Sequence, residues 1–240
     1  MITDNTHDNR PLFKMFNQVP QRYDLLNRLL TMRFDEGWRR KAARACLENN
    51  PTKVLDLCTG TGDLAISISR QSNPPAELTG LDFSSPMLDI AKTKSRKKAT
   101  GPIKFLLGDA SDMPFEDKHF NAVGIAFAFR NLTFHNPLRE QCLAEVHRVL
   151  DEGGRFVIIE SSQPKYKVLR QFWLFYIKVF VKPVGSWISG HRGAYNYLSH
   201  SVQHYYQAEE IKDMLISTGF TRVEFQTLMG GVAALHIAYK

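Results

Sequence analysis

Residues 54–63 read VLDLCTGTGD, and this stretch limits the fold more than any other in the chain. Four of its first five residues are apolar, as in a strand buried on both faces of a sheet. Two glycines then allow a sharp turn, because glycine reaches positive φ without steric penalty. Helix-like sequence follows from Asp63. A strand, a glycine turn and a helix in that order make one unit of a doubly wound α/β sheet. The rhythm repeats. LTGLDF (78–83), IKFLLGD (103–109), FNAVGIAF (120–127) and GRFVIIES (154–161) read as strands. Ser84–Ser85–Pro86 opens a helix after the second strand, and 135–150 forms another. A helix over 208–218, stopped by Gly219, leads to strands at 222–229 and 232–240 joined by Gly230–Gly231 as an antiparallel hairpin. The expectation is an α/β, doubly wound, mostly parallel seven-stranded sheet, in a single domain over 1–240. Ahead of it, apolar residues spaced by three or four from Phe13 to Phe34 predict an amphipathic helix broken at Pro20. A second helix spans 36–49, so that residues 10–50 form an N-terminal helical lid.

The turn also points to a ligand. Gly60, Gly62 and Ala65 spell G-x-G-x-x-A, whose bare backbone and following helix N–H groups suit a nucleotide-like group. Asp82 lies twenty residues past Gly62, at the end of the second strand, where a carboxylate accepts hydrogen bonds from both hydroxyls of a ribose. Asp56 in the first strand and Asp63 after the loop would repel a pyrophosphate and suit a cationic ligand end. Asp56 has a second reading, as a buried structural acid. Asp109, in Gly108–Asp109–Ala110, offers a carboxylate to an adenine amino group, and Met113–Pro114–Phe115 an apolar wall. The ligand these features favour over NAD is S-adenosyl-L-methionine, with its ammonium and sulfonium.

Composition narrows the surroundings. The chain has 240 residues, a net charge of +7 and three cysteines. Those cysteines, Cys46, Cys58 and Cys142, are far apart, which speaks against a disulfide framework or a metal site and for a reducing, cytoplasmic compartment. The polar N-terminus does not read as a secretory signal, and no run is apolar enough to span a membrane. The positive charge is local: residues 10–44 hold nine Lys or Arg against three acids, and 161–208 hold six and no acid. The segment 162–207 interrupts the strand–helix rhythm as a basic aromatic insertion. Residues 161–208 carry 11 of the 27 aromatics. Phe172, Phe175, Tyr176, Val179 and Phe180 can share one helical face with Lys167, Arg170, Lys178 and Lys182 around it. That pattern fits a membrane-surface helix, or alternatively a substrate-domain or homodimer-interface helix. KTKSRKK (92–98) reads as the solvated end of a helix. An RNA-binding role for the basic segments ranks last, since no RNA motif accompanies them and nucleic acid is not an expected partner.

DLCTGTGD, LDFSSPML, GDASDMPFEDKHF and EVHRVLDEGG resemble the successive motifs of class I methyltransferases. YDLLNRLL (23–30), FAFRN (127–131), AYNYL (194–198) and GGVAALHIAYK (230–240) resemble, more narrowly, the ubiquinone/menaquinone biosynthesis C-methyltransferases, over about residues 12–240. The resemblance implies that Thr61, Asp82, Asp109 and Ala110 contact S-adenosyl-L-methionine. It implies as acceptor a polyprenyl quinol, most simply demethylmenaquinol, with a benzoquinol precursor of ubiquinone or another apolar substrate as alternatives. An NAD(P)-dependent reductase is the more remote reading. The chain departs from the family pattern at Ala126, where a Ser is usual, at Ala128, where a Gly is usual, and at Ser189–Gly190–His191–Arg192, where an acid is usual.

Methylation at a quinol carbon needs a phenolic proton removed, so that electron density moves onto the ring. A cation beside that oxygen stabilises the charge as it forms. Arg130, just past the fourth strand, supplies one, and Arg130 with Asn131 is the expected catalytic pair holding the quinol oxygen or a water. Arg stays protonated, so the proton goes to water or to one of His135, His200 and His204. Tyr23, Asn27, Tyr195 and Tyr197 line the acceptor site or pack structurally. The expected location is the cytoplasm, peripheral to the inner face of the membrane.

Overall fold

The computed structural model describes Arg28, Thr31, and residues 33–181 and 201–240. The VLDL run becomes β1 (Lys53–Leu57), central in a seven-stranded sheet of order β3-β2-β1-β4-β5-β7-β6. The other strands are β2 (Glu77–Asp82), β3 (Ile103–Leu107), β4 (Phe120–Ala126), β5 (Leu150–Ser161), β6 (Arg222–Leu228) and β7 (Ala233–Tyr239). The first five pair in parallel, and β7 runs antiparallel to both β5 and β6. The helices are α1 (Asp35–Leu47), α2 (Asp63–Gln71), α3 (Ser85–Lys98), α4 (Phe129–Thr133), α5 (Arg139–Val149), α6 (Lys167–Tyr176) and α7 (Ala208–Ser217).

Strands in the middle of this sheet are apolar on both sides because both sides are covered. Val54, Ala122, Val157 and Ile159 face a core shared with α1, α2 and α6. Leu55, Leu57, Val123, Ile125, Phe156 and Ile158 face the opposite core, closed by α5 and α7. The described part of the expected lid, α1, buries Trp38, Ala42, Ala43 and Cys46 in the first core and is a fixed part of it.

Boundaries move where a local residue overrides the periodic pattern. The helix expected from residue 135 starts at Arg139, because His135 takes a positive φ of 51° and Asn136 Oδ1 accepts the Leu138 N–H. β3 stops at Leu107, which leaves Gly108 and Asp109 in a loop. β5 begins at Leu150 rather than 154, with Gly153 turning inside it. Tyr23, Asn27, Tyr195, Tyr197 and His200 lie outside the described residues, as do most of the segment expected as an N-terminal amphipathic helix and residues 182–200 of the insertion.

Candidate functional site

Strand order explains where a site forms. β1 and β4 are neighbours, with Asp56 opposite Gly124, yet the chain leaves them toward opposite ends of the sheet. The loops at their carboxyl ends therefore emerge side by side at a topological switch point, where such sheets bind ligands. The glycine turn follows β1, and α4 with Arg130 follows β4.

The two glycines have different tasks. Gly60 has φ +54° and a Cβ there would meet nothing within 4 Å, so the loop offers bare backbone to open space. Gly62 has φ +83°, but its Cβ would lie 3.1 Å from that of Ala91 on α3. It is the closely packed N-cap of α2. The Cβ side of Gly60 is thus open and that of Gly62 is packed against α3.

The two acids invoked for a cationic ligand end point elsewhere. Asp56 is 1% exposed, and its Oδ2 accepts from Thr59 Oγ1 at 2.5 Å and from the Ala65 N–H at 2.9 Å. It ties the turn to the first residues of α2 from inside, and its burial pushes the carboxyl up to about 7. This is the structural reading of Asp56. Asp63 Oδ1 is 2.5 Å from Lys94 Nζ, which also donates to Thr61 Oγ1 at 3.0 Å. Lys94, expected to be a solvated residue of KTKSRKK, instead crosses the mouth of the loop and neutralises Asp63. Asp63 is thus paired with a cation, and Asp56 is engaged by a hydroxyl and a backbone N–H.

Asp82 sits at the carboxyl end of β2. Its Oδ2 accepts the Gly60 N–H at 2.8 Å and its Oδ1 the Ser84 N–H at 2.9 Å. Burial raises its carboxyl to about 6 against the lowering effect of those bonds. Each oxygen keeps a further lone pair, so it can still accept from ribose hydroxyls. Asp109 Oδ1 accepts from the Ser111 N–H and Oγ, both at 2.8 Å, and Ala110 is buried beside it. Met113 packs into the core, and Phe115 meets Phe120 edge-on and stacks on His119. Glu145 and Arg148 of α5 clamp both residues, through the Met113 N–H and through the Met113 and Phe115 carbonyls. The apolar wall is therefore held from behind, with Met113 turned inward. The bare Gly60 backbone, the Asp82 carboxylate and the Asp109 turn fit the ribose, adenine and chain of S-adenosyl-L-methionine.

Arg130 is 4% exposed, which excludes a surface salt bridge. Its Nη1 donates to Ser201 Oγ at 2.6 Å, and its backbone N–H donates to Glu160 Oε2 at 3.0 Å. Asn131 follows, half-buried. Next to this pair, Thr133 Oγ1 and Tyr205 OH are 2.9 Å apart, and burial with the nearby Glu160 charge raises the Tyr205 phenol well above its usual range. Tyr205 is thus a neutral partner and no base. His135 and His204 are exposed. Sequence reasoning misses Glu160 and Tyr205. A signal for Glu160 exists, since it ends an apolar strand in the way Asp82 does.

Among the described residues, no group of three or more His, Cys, Asp or Glu is placed to hold a metal ion. No described helix is long and apolar enough to cross a membrane. On α6 and the π turn after it (Ile177–Val181), Trp173 and Ile177 face the core, whereas Val168, Phe172, Phe175 and Val179 face outward. Phe172 and Phe175 are 69% and 59% exposed. Tyr176, expected on the outer face, instead stacks on Trp173.

Comparison with known proteins agrees with this architecture. The model of the ubiE/COQ5 methyltransferase family matches residues 3–240. A demethylmenaquinone methyltransferase from Thermus thermophilus is 42% identical over 223 residues, covering 93% of this chain and 98% of that protein. One from Deinococcus radiodurans is 38% identical over 239 residues, covering 100% and 96%. Among solved structures, a SAM-dependent methyltransferase from Thermotoga maritima, described as a possible histamine N-methyltransferase, superposes with a TM-score of 0.66. It covers 95% of this chain and 99% of its own, at 17% identity, a likeness of fold alone.

Proposed function

This chain belongs to the ubiE/COQ5 methyltransferase family, takes its methyl group from S-adenosyl-L-methionine, and, we propose, delivers it to a ring carbon of a polyprenyl quinol, demethylmenaquinol being the acceptor. The observation that carries the acceptor is the buried Arg130 at the carboxyl end of β4, one strand from the glycine turn. It is supported by full-length relatives named for demethylmenaquinone.

When bound, S-adenosyl-L-methionine supplies an electrophilic methyl group. Gly60, Thr61, Asp82, Asp109 and Ala110 hold it. Asp56 and Gly62 act one step behind, shaping the turn. Arg130 and Asn131 hold the acceptor's oxygen or a water. As the phenolic proton leaves to water, or to one of His135, His200 and His204, the guanidinium stabilises the oxygen's growing charge and the ring carbon becomes the nucleophile, which then gives up its own proton to solvent as the ring regains aromaticity. Burial strengthens that effect, because water no longer screens it.

The outward stripe of α6 gives the substrate's long tail a place to come from. Val168, Phe172, Phe175 and Val179 recur at helical spacing, and Lys165, Lys167, Arg170 and Lys178 are exposed around them. Apolar side chains enter the acyl boundary while Lys and Arg meet anionic headgroups. The chain would work in the cytoplasm against the inner face of the membrane, as a single domain. A homodimer through the same stripe is the competing use.

The test is transfer of labelled methyl from S-adenosyl-L-methionine to reduced demethylmenaquinone and, in parallel, to a reduced demethylated ubiquinone precursor, with lipid vesicles present. Label in the naphthoquinol is expected. Label only in the benzoquinol would move the acceptor, and label in neither would overturn the reading.

A further inference from the structure

Glu160 is a carboxylate buried to 1% exposure at the carboxyl end of β5, next to β4 in the sheet. A buried charge is tolerated only when it is paired and hydrogen-bonded. Its contacts divide in two. Oε1 accepts from the Ser161 N–H and Oγ, both at 2.8 Å, which fixes the carboxylate itself. Oε2 accepts the Arg130 backbone N–H at 3.0 Å. That N–H belongs to the first turn of the five-residue α4, where donors have no partner within the helix.

The charge of Glu160 also balances the guanidinium, but from a distance. Arg130 Nε is 3.9 Å from Glu160 Oε1, beyond hydrogen-bond reach. A structural Arg–carboxylate pair ordinarily closes as a fork, with two parallel N–H···O bonds. This one does not. The far end of the side chain is tied down instead by Ser201, which accepts from Nη1 at 2.6 Å. Arg130 is therefore pinned at its backbone and at its tip, by residues some 30 and 71 positions away in the chain. The atom between the two anchors, Nε, is buried and has no hydrogen-bond partner among the described residues. Such donors are rare in folded proteins, and each calls for a reason. Tyr205 does not take this donor, because its hydroxyl is engaged with Thr133.

We propose that Glu160 is a positioning residue for Arg130: it caps α4 and balances the guanidinium while leaving the Nε–H as the donor kept for the acceptor's oxygen. This rests on the role given to Arg130 above. Glu160 touches no substrate and acts only through the arginine.

Two readouts test it. The first needs no acceptor. In the full-length protein with S-adenosyl-L-methionine bound, the Arg130 Nε–H resonance is identified by its disappearance in Arg130→Lys. Its exchange with water is expected to be slow in the wild type and at least tenfold faster in Glu160→Gln. Equal exchange in both overturns the proposal. The second is a double-mutant cycle on methyl transfer. Glu160→Gln is expected to lower kcat at least tenfold in the wild-type background, with S-adenosyl-L-methionine affinity within twofold, and less than twofold in the Arg130→Lys background. Equal losses in both backgrounds would mark Glu160 as merely structural and overturn the proposal. Circular dichroism checks folding; if Glu160→Gln is unfolded, Glu160→Asp, which withdraws the carboxylate by one methylene, carries the same two readouts and the same expectations. A wild-type protein that methylates no quinol overturns the acceptor assignment, while the exchange measurement still decides the role of Glu160.

Discussion

The guanidinium of Arg39, in α1, lies 5.1 Å from the ring centroid of Phe127, in the turn between β4 and α4. Arg39 Nη1 donates to Asp35 Oδ2 at 2.5 Å, and Thr31 Oγ1 donates to Asp35 Oδ1 at 3.0 Å, so the cation is held from behind. Phe127 has φ +57°, a left-handed conformation that bulky residues avoid and that persists only when its surroundings enforce it. The enforcement is visible: its N–H donates to Ile159 O at 2.8 Å, and Trp38 closes on the ring at 6.2 Å. A core helix early in the chain therefore sets the turn that delivers Arg130.

Phe127→Ala removes the ring that this arrangement grips. Unfolding stability should fall by about 3 kcal/mol, the scale for deleting a buried phenyl ring. Turnover should fall about tenfold or more, since small misplacements of catalytic groups have effects of that order or larger. Affinity for S-adenosyl-L-methionine should stay within about twofold, because the glycine turn hangs from other strands. Urea denaturation, calorimetric titration and methyl transfer read the three quantities. Loss of methyl-donor affinity as large as the loss of turnover would show that the turn shapes both sites.

Lys94→Met leaves Asp63 without its counter-ion and Thr61 without its Nζ donor. The glycine turn should loosen, and affinity for S-adenosyl-L-methionine should drop about tenfold, or ~1.4 kcal/mol. At saturating donor, kcat should be little changed, because Arg130 follows a different strand. A variant that binds as tightly as the wild type would show that Gly62 against Ala91 fixes the loop alone.

Acid stability has two opposing contributions. His236 is buried in β7, with Nε2 2.9 Å from Ala208 O, and desolvation lowers its pKa from 6.5 to about 4. Between those values the unfolded chain binds a proton that the folded chain refuses, so His236 removes stability as pH falls. Asp56, raised from 3.8 to about 7, works in the reverse direction: the folded carboxyl keeps a proton that the unfolded one has lost, so stability falls as pH rises through that window. His236→Gln should therefore raise stability at pH 4.5 relative to pH 7 by about 2 kcal/mol, at ~1.4 kcal/mol per pKa unit. Asp56→Asn should shift that difference the opposite way. Urea midpoints of both variants at the two pH values are the check, and parallel shifts would contradict it.

Phe172→Glu with Phe175→Glu places two charges on the outward stripe of α6. Binding to vesicles containing anionic lipid should weaken at least about tenfold, and binding by the wild type should weaken with salt. Methyl transfer to a short-tailed quinol without lipid should be unchanged. Sedimentation with vesicles gives the first result. A change in oligomeric state on the same substitution, with lipid binding intact, would assign the stripe to a dimer.

The sheet, its order of strands and the glycine turn can be read from the sequence because each rests on a local pattern. An apolar run, a Gly-x-Gly and an acid at a strand end lie within a few residues of one another. Asp82 is legible in that way. Asp56 carries the same kind of signal but a different task, because which way a buried carboxylate faces is decided by Thr59 and Ala65 after folding. Lys94 reads as solvated because a run of cations on a helix end usually is. Its partners Thr61 and Asp63 lie some 33 residues earlier. Arg39 over Phe127, and Glu160 under Arg130, join elements that have no pattern in common. Such pairs are set by tertiary packing, and periodicity does not encode them.

The seam between β1 and β4 has a further consequence. The residues proposed to hold the methyl donor, Gly60, Thr61, Asp82, Asp109 and Ala110, lie in or just after β1, β2 and β3, whereas Arg130 follows β4, and Glu160 and the stripe of α6 belong to β5 and the helix after it. The two halves meet along the β1–β4 pair and where Gln141, Glu145 and Arg148 of α5 hold the 111–115 loop, while the duties proposed for them fall on separate segments. A lineage could therefore change acceptors by rewriting the second half so long as it kept the α5 side chains that hold the donor half's loop.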